Sequence, residues 1–183
     1  VIPEVKESGG IVPTSSTTAQ LALGDALAIS AMQYKKFGKF DFKKIHPAGN
    51  LGAQLKTVED IMLTGNKIPF VNENRKMSEA IKILSNKNLG ILIIQNKLKK
   101  TIGIVTDGQI RRFNQKKLNL LSMKVKEIMT KNPISVEKNS LAAKALALMN
   151  NKKITSLCVY DKKNKYKTIG VVHIHNILQH NIS

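Results

Sequence analysis

Two stretches of the chain carry apolar residues at helical spacing, and each stretch is followed by two short apolar runs. In both stretches the apolar positions fall at i, i+3, i+4 and i+7, which predicts a helix with one apolar face. The positions are Met77, Ala80, Ile81 and Leu84 in the first stretch and Ala142, Ala145, Leu146 and Met149 in the second. An asparagine side chain can accept from the free N–H groups of a helix start, so Asn74 and Asn139 are the expected N-caps.

The apolar runs after each helix predict pairs of strands. "GILIIQ" at 90–95 and "TSLCVY" at 155–160 have the length and composition of buried strands. Each is followed by a lysine-rich hairpin and then by a second run, "TIGIVT" at 101–106 or "TIGVVH" at 168–173. A short extended segment, "KIPFV" or "NPISV", comes before each helix. The order strand, helix, strand, strand, helix is therefore predicted twice.

An internal repeat accounts for this duplicated order. "VEDIM" at 58–62 returns as "VKEIM" at 125–129, and "TIGIV" at 101–105 returns at the same interval as "TIGVV" at 168–172. Between these anchors, for example from Asn74 to Asn139, the interval is slightly shorter, because the first copy has extra residues near "MLTGNKIPF". The chain thus contains two copies of one supersecondary unit.

The segment 1–56 has a different pattern, with one long helix predicted over "PTSSTTAQLALGDALAISAMQYKKFG". Thr17 followed by Gln20 fits a capping box, and Gly38 suits the C-terminus of the helix. Two interpretations of the hydroxyl-rich start remain open. It is either an ordinary helix cap, or a place where Ser15, Ser16 and Thr17 and free N–H groups receive an anion such as phosphate.

Composition narrows the functional classes. The formal net charge of +18 invites a nucleic-acid interpretation, but the only arginines among 30 basic residues are Arg75, Arg111 and Arg112, and aromatic residues make up 4%. Base readout and single-strand binding favour arginine forks and stacking rings, so we interpret the charge as a solvated surface that can still attract anionic metabolites. One cysteine, Cys158, forms no internal disulfide, and no apolar run is long enough for a membrane span, which fits a cytoplasmic protein. The first residue is Val1, so we expect the sequence to be part of something longer.

The two βαββα units, with "V-x-x-I-M" at the start and "TIG" before the last helix, resemble a tandem pair of CBS domains. The resemblance implies a mixed α/β (α+β) fold, with CBS domains at 57–115 and 124–183 and a linker at 116–123. It also implies ligand clefts for adenosyl or other nucleotides. The cleft positions are Ile68, Pro69, Thr106, Asp107, Gln109, Pro133, His173 and Asn176. Gln109 and Asn176 stand where the family typically has a ribose-binding aspartate, so adenosine nucleotides are expected to bind weakly. Any tight ligand is expected to be a more anionic pathway product, such as the nucleotide-activated sugar CMP-Kdo.

A second resemblance covers the whole chain. "PTSSTTAQLALGDALA", a spacer, "DFKKIHPAGNLGAQL" and a CBS pair are similar, in this order, to the arabinose-5-phosphate isomerases. In that family a sugar isomerase (SIS) domain precedes the CBS pair and ends in a segment of the form HPxGxLG. That segment is matched here by His46, Pro47, Gly49, Leu51 and Gly52. The resemblance implies that residues 1–56 are the C-terminal segment of a flavodoxin-like SIS domain, whose catalytic Lys and Glu residues lie upstream.

The activity implied by this family is interconversion of D-ribulose 5-phosphate and D-arabinose 5-phosphate for synthesis of Kdo, a lipopolysaccharide sugar. His46 matches the active-site histidine and could transfer a proton near neutral pH, whereas without the family it would be interpreted as a turn residue. No cofactor is required. His173, His175 and His180 are not expected to bind a metal. The fragment alone is expected to be inactive and at least dimeric through its CBS pair, with tetramers in the full-length protein.

Two other functions stay open at this point. A non-catalytic sensor could combine a SIS domain that only binds sugar phosphate with CBS clefts that bind a nucleotide. An isomerase could also act on a different phosphosugar. Neither nucleic acid nor membrane is an expected partner.

Overall fold

The chain divides into two units, Val1–Pro47 and Ala48–Ser183. The computed structural model describes residues 6–46, 49–115, 119–180 and 182. Pro47, which belongs to the HPxGxLG match, and Lys116, Lys117 and Leu118 of the predicted linker lie outside the described residues. The first unit contains a 3₁₀ turn and two helices, α1 (Ser15–Tyr34) and α2 (Lys39–Ile45). The second unit begins with α3 (Gly49–Gln54) and then contains the two repeats.

Both repeats have the predicted order of elements. Those of the first are α4 (Val58–Ile61), β1 (Phe70–Asn72), α5 (Met77–Lys87), β2 (Ile91–Gln95), β3 (Thr101–Thr106) and α6 (Asp107–Gln115). Those of the second are α7 (Val125–Ile128), β4 (Thr130–Lys131), β5 (Ser135–Glu137), α8 (Ala142–Lys152), β6 (Ser156–Asp161), β7 (Asn164–His173) and α9 (Ile174–Leu178). The predicted apolar face of α8 is buried throughout, and that of α5 is buried except at Ile81, which is half-buried.

The strands form two sheets that are related by the repeat. One sheet has the order β1-β2-β3-β4 and the other the order β5-β6-β7. In each repeat the short first strand runs parallel to the strand after the helix, which in turn pairs antiparallel with the next strand. β4 extends the sheet of the first repeat through the pair Ile104 and Thr130. The equivalent segment of the first repeat extends the other sheet through a single bridge between Leu63 and Val171.

The beginning of each repeat packs into the core of the other repeat. Val125 and Ile128 of α7 are buried among the side chains of α5, β2 and β3. Val58 and Ile61 of α4 are buried in the same way among those of α8, β6 and β7. Because each core is completed by residues of the other copy, the two repeats are not independent folding units.

The same exchange explains why the predicted N-caps are wrong. The residue before α5 is Lys76 and the residue before α8 is Leu141, and neither makes a side-chain cap hydrogen bond. Asn74 lies instead in the turn before the helix, where its backbone N–H donates to Asn72 Oδ1 at 3.0 Å. A local spacing rule misplaced the caps because the N–H groups at these helix starts have distant partners.

Those partners are backbone carbonyls of the residues that directly precede the other repeat. The first N–H of α5, at Met77, donates to the Met123 carbonyl at 2.9 Å. The first N–H of α8, at Ala142, donates to the Lys56 carbonyl at 2.8 Å. These reciprocal bonds satisfy orphan donors without a capping side chain.

The glycine of each "TIG" motif makes room for the exchanged segment. A Cβ built on Gly103 would lie 2.7 Å from Met129 Sδ and 2.8 Å from the Thr130 carbonyl oxygen. A Cβ on Gly170 would lie 3.1 Å from the Leu63 carbonyl oxygen and would clash with Met62. The "V-x-x-I-M" segment of each repeat therefore contacts the "TIG" segment of the other repeat.

Gly103→Ala should destabilise the protein by about 1–3 kcal/mol, since an added methyl group has to displace backbone and a packed methionine. Urea unfolding of the purified protein measures the change. Gly108→Ala is the matched control, because its Cβ would meet only side-chain atoms at ordinary contact distances of 3.8 and 3.9 Å. A Gly103→Ala protein as stable as the control would contradict the packing argument.

Candidate nucleotide cleft

A cleft of about 780 Å³ lies between the two repeats. Its size is within the range of small-molecule sites. The first repeat contributes the residues that lead into β2, the end of β3 and the first two turns of α6. The second repeat contributes the segment 132–134, the residues leading into β6, and the end of β7. Each wall of the cleft therefore comes from one repeat, and the two walls are far apart in the sequence.

Gln109 lines the cleft and has hydrogen-bond partners at both ends of its amide. Its Oε1 accepts from the Thr106 backbone N–H at 2.9 Å, as in a capping box. Its Nε2 donates to Thr130 Oγ1 at 2.6 Å and to the Ile128 carbonyl at 3.2 Å. The side chain therefore joins the end of the first repeat to the start of the second, and a ribose would have to compete for it.

His173 lies in the second repeat at the position equivalent to Thr106. Its Nδ1 accepts from the His175 backbone N–H at 3.2 Å, and its own N–H donates to Asn176 Oδ1 at 3.2 Å. Burial, and to a smaller extent the neighbouring His175, lowers the pKa of the His173 imidazole from its ordinary value. The ring is therefore neutral at pH 7, and with Nδ1 accepting, its Nε2 carries the proton and is a donor.

Positive charge predominates around the cleft. Arg111, Arg112 and Lys153 line it, and Asp107 is the one carboxylate among the described residues of its walls. Cys158 is part of the wall, and burial raises the pKa of its thiol to about 11, so that it is not a nucleophile at neutral pH. The arrangement can bind an anion and donate hydrogen bonds, but this thiol is not activated for covalent chemistry.

Five of the eight predicted cleft residues lie in the walls of this cleft. Thr106, Asp107, Gln109, Pro133 and His173 line the cleft. The other three are absent from its walls. Ile68 is 6% exposed in an apolar cluster, Pro69 is buried beside it, and Asn176 caps α9.

Sequence reasoning missed the cationic side chains. Arg111 and Arg112 lie in α6 shortly after Thr106 and are two of the three arginines in the chain. Their rarity and their position next to a predicted cleft residue could have identified them. Lys153 gave no such signal, because one lysine among many is not distinctive.

In the first unit, a carboxylate of the chain itself occupies the start of α1. The Glu7 carboxylate accepts from the backbone N–H groups of Thr14 at 2.6 Å, Ser15 at 2.9 Å and Ser16 at 3.1 Å. The Ser16 hydroxyl, followed by the Thr14 N–H, lowers the pKa of Glu7 from 4.5 to about 2. The free N–H groups of this helix start therefore pair with an intramolecular anion.

The predicted capping box at this helix is wrong. The N-cap is Thr14, and Thr17 lies inside the first turn, where its hydroxyl donates to the Thr14 carbonyl at 2.8 Å. No local motif could have identified Glu7, because it lies well before the cap in the sequence. Gly38 is also misassigned, since α1 ends at Tyr34 and Gly38 is the N-cap of α2.

His46 follows α2 and is exposed. Its ring stacks on Phe42 with centroids 4.2 Å apart and planes at 11°. Its backbone N–H donates to the Phe42 carbonyl at 2.9 Å. The residue before Pro47 is thus held at a helix end, with its imidazole presented at the surface of the unit.

The described residues contain no membrane-spanning or metal-binding arrangement. No helix in these ranges is long and apolar enough to cross a membrane. No three His, Cys, Asp or Glu side chains in them form a potential metal site. His180 contacts Lys56, with Nδ1 3.0 Å from Nζ.

Two interlocked βαββα repeats with a ligand-sized cleft between them define a CBS pair, and the CBS domain family matches residues 58–116 and 125–182. The chain belongs to the CBS domain family. Over 171 residues, 93% of its length, it is 40% identical to the arabinose 5-phosphate isomerase KdsD of Salmonella typhi, of which it covers 51%. The chain thus spans about half the length of the curated relatives it matches.

Solved CBS pairs have the same fold. The CBS domain pair of protein MJ0100, in complex with 5′-methylthioadenosine and S-adenosyl-L-methionine, superposes with a TM-score of 0.59 and 26% identity. That match covers 68% of this chain and 94% of the other. CBSX2 in complex with AMP matches with a TM-score of 0.60 and 22% identity, over 68% of this chain and 95% of the other.

Acid should weaken α1 through Glu7. Because its pKa is lower in the folded chain than in the unfolded chain, the stabilisation from Glu7 is complete above pH 4.5 and is lost as the pH falls toward 2. Glu7→Gln should remove this part of the acid-induced loss of helicity, measured by far-UV circular dichroism. Glu79→Gln, at an exposed ion pair with Arg75, is the control that should keep it. Equal pH profiles for wild type and Glu7→Gln would refute the role of the carboxylate.

Proposed function

We propose that the chain is the C-terminal part of an arabinose 5-phosphate isomerase and that its CBS pair is a regulatory nucleotide-binding module. The observation that carries the proposal is the extent of the similarity to the Salmonella typhi enzyme. It covers 93% of the chain and therefore extends beyond the CBS pair into the helical N-terminal unit. A CBS pair attached to an unrelated domain would match over the CBS repeats alone.

Isomerisation of an aldose to a ketose requires ring opening and proton transfer between C2 and C1 through an enediol. An imidazole can donate or accept a proton near neutral pH. His46 is the histidine of the family segment, and its exposed ring at the end of α2 is accessible to groups supplied by other parts of the full-length protein. In this proposal, Ser15, Ser16 and Thr17 lie near the substrate phosphate, which would have to displace the Glu7 carboxylate from the N–H groups of Ser15 and Ser16.

The cleft supports a regulatory role for the CBS pair. Arg111, Arg112 and Lys153 favour a ligand with several negative charges, and the Nε2–H of His173 can donate to it. Gln109 lacks the charge of an aspartate, and its amide already has partners, which supports weak binding of AMP. We propose that ATP, which carries more negative charge than AMP, binds more tightly. CMP-Kdo, which has a carboxylate as well as its phosphodiester, is the other candidate.

The catalytic proposal predicts that residues 1–183 alone do not turn over arabinose 5-phosphate, and that His46→Ala in the full-length protein lowers kcat by at least ~10²-fold. A coupled assay with ribulose 5-phosphate or arabinose 5-phosphate measures both. His180→Ala is the matched histidine control, since that side chain contacts Lys56 within the second unit, away from α2. A full-length protein that binds sugar phosphate without turnover would favour the sensor function. A folded His46→Ala enzyme with a normal kcat would show that His46 is a structural turn residue and not a catalytic one.

The regulatory proposal predicts that ATP and CMP-Kdo bind more tightly than AMP, and that added salt weakens all three. Arg112→Ala should reduce ATP affinity by about 5-fold, because an exposed charge contact contributes on the order of 1 kcal/mol. Titration calorimetry provides the affinities. Arg75→Ala is the control, because Arg75 pairs with Glu79 and does not line the cleft. Equal affinities for Arg112→Ala and the control would exclude this cleft as the phosphate site.

A further inference from the structure

The two repeats present different surfaces to the cleft. Their residues can be matched one to one, because β1 pairs with β2 in the register in which β5 pairs with β6. At four matched positions the first repeat has a larger or more apolar side chain than the second. The pairs are Ile68 and Pro133, Phe70 and Ser135, Ile91 and Ser156, and Ile93 and Cys158.

The first repeat fills its half of the interface. Ile68, Ile91 and Ile93 are each at most 6% exposed and pack together in one cluster, with Phe70 against them. The extra residues of this repeat fall near the 3₁₀ turn Gly65–Lys67, just before Ile68, and Lys87 donates to the Asn66 carbonyl in that turn. In the segment equivalent to 132–134, Ile68 and Pro69 are therefore packed as core, whereas Lys67 is exposed.

The second repeat leaves its half open. Pro133 and Ser156 line the cleft of about 780 Å³, and Ser135 lines an adjoining pocket of about 200 Å³ that shares Pro133. Ile91 and Cys158 also line the larger cleft, but both pack in the apolar cluster and are at most 3% exposed. Smaller side chains at equivalent positions on the same backbone leave the volume that the first repeat fills. Ile134 is 38% exposed, whereas its equivalent, Pro69, is buried.

Ser156 places an unpaired polar group in this open half. Successive strand residues point to opposite faces, and Leu157 and Val159 of β6 belong to the core, so Ser156 and Cys158 face the cleft. The Ser156 hydroxyl oxygen is buried and has no hydrogen-bond partner among the described residues. A buried polar group without a partner costs stability, and such groups are rare in native proteins unless a ligand or water pairs with them.

We propose that the pair binds one ligand per chain, on the second-repeat side of the cleft, and that the Ser156 hydroxyl is the buried contact that selects a ligand with a hydrogen-bonding group at that position. This inference rests on the proposed nucleotide-binding function and specifies its stoichiometry and a specificity-determining residue. A ligand that contacts 132–134 and Ser156 has no equivalent place in the first repeat, where core side chains occupy it.

Titration calorimetry of the whole chain with AMP, ADP and ATP, together with thermal unfolding, tests the inference. The expected stoichiometry is one ligand per chain. Ser156→Ala should weaken binding by about 3- to 10-fold, as expected for one neutral hydrogen bond. The same variant should raise the Tm of the unliganded protein, because it removes an unpaired buried oxygen. Ser156→Ile, which introduces the residue of the first repeat, should abolish binding.

Ser122→Ala is the matched control, since the Ser122 hydroxyl is exposed and donates to the Asn119 carbonyl away from the cleft. It should leave affinity unchanged. Two equivalent ligands per chain, or unchanged affinity in Ser156→Ala, would overturn this inference and leave the nucleotide function standing. A chain that binds none of the three probes would overturn both.

Discussion

The structure of the CBS unit depends on the reciprocal exchange of the segments that begin the two repeats. α4 completes the core around α8, and α7 completes the core around α5. Gly103 and Gly170 permit this exchange because a Cβ at either position would overlap the incoming methionine. The hydrogen bond between the Thr101 and Thr168 hydroxyls, at 2.8 Å, joins the same two motifs at equivalent positions. Neither half can therefore hold its native core alone.

This exchange also creates the cleft. The segment that enters the second repeat passes along β3 as β4 and brings Thr130, Asn132 and Pro133 against the start of α6. Gln109 fixes that approach through its bond to Thr130. A ligand in the cleft would contact both repeats at once, so its binding would be coupled to the interface that holds them together. That coupling is the physical basis for proposing a regulatory role for the pair.

The N-terminal unit has a different character. α1 is apolar in composition yet has no buried residue, and Leu21, Leu27 and Ile29 are all more than half exposed. A helix that is apolar on all sides is typical of a protein interior. Together with the matched relatives, which are about twice as long, this exposure supports the proposal that further chain completes the unit in the full-length protein.

The sequence alone determined the repeat, the order of its elements and the buried faces of α5 and α8, because these follow from local periodicity. It also indicated that Thr106 and His173 occupy equivalent places, since each ends the run that begins with "TIG". Tertiary structure decided the rest. The helix starts are satisfied by distant backbone carbonyls and by Glu7, so residues close in sequence could not identify the caps. The repeat interval already pairs Ile91 with Ser156, but only the tertiary structure shows that Ile91 packs in an apolar cluster and that the buried Ser156 hydroxyl has no partner beside the cleft among the described residues.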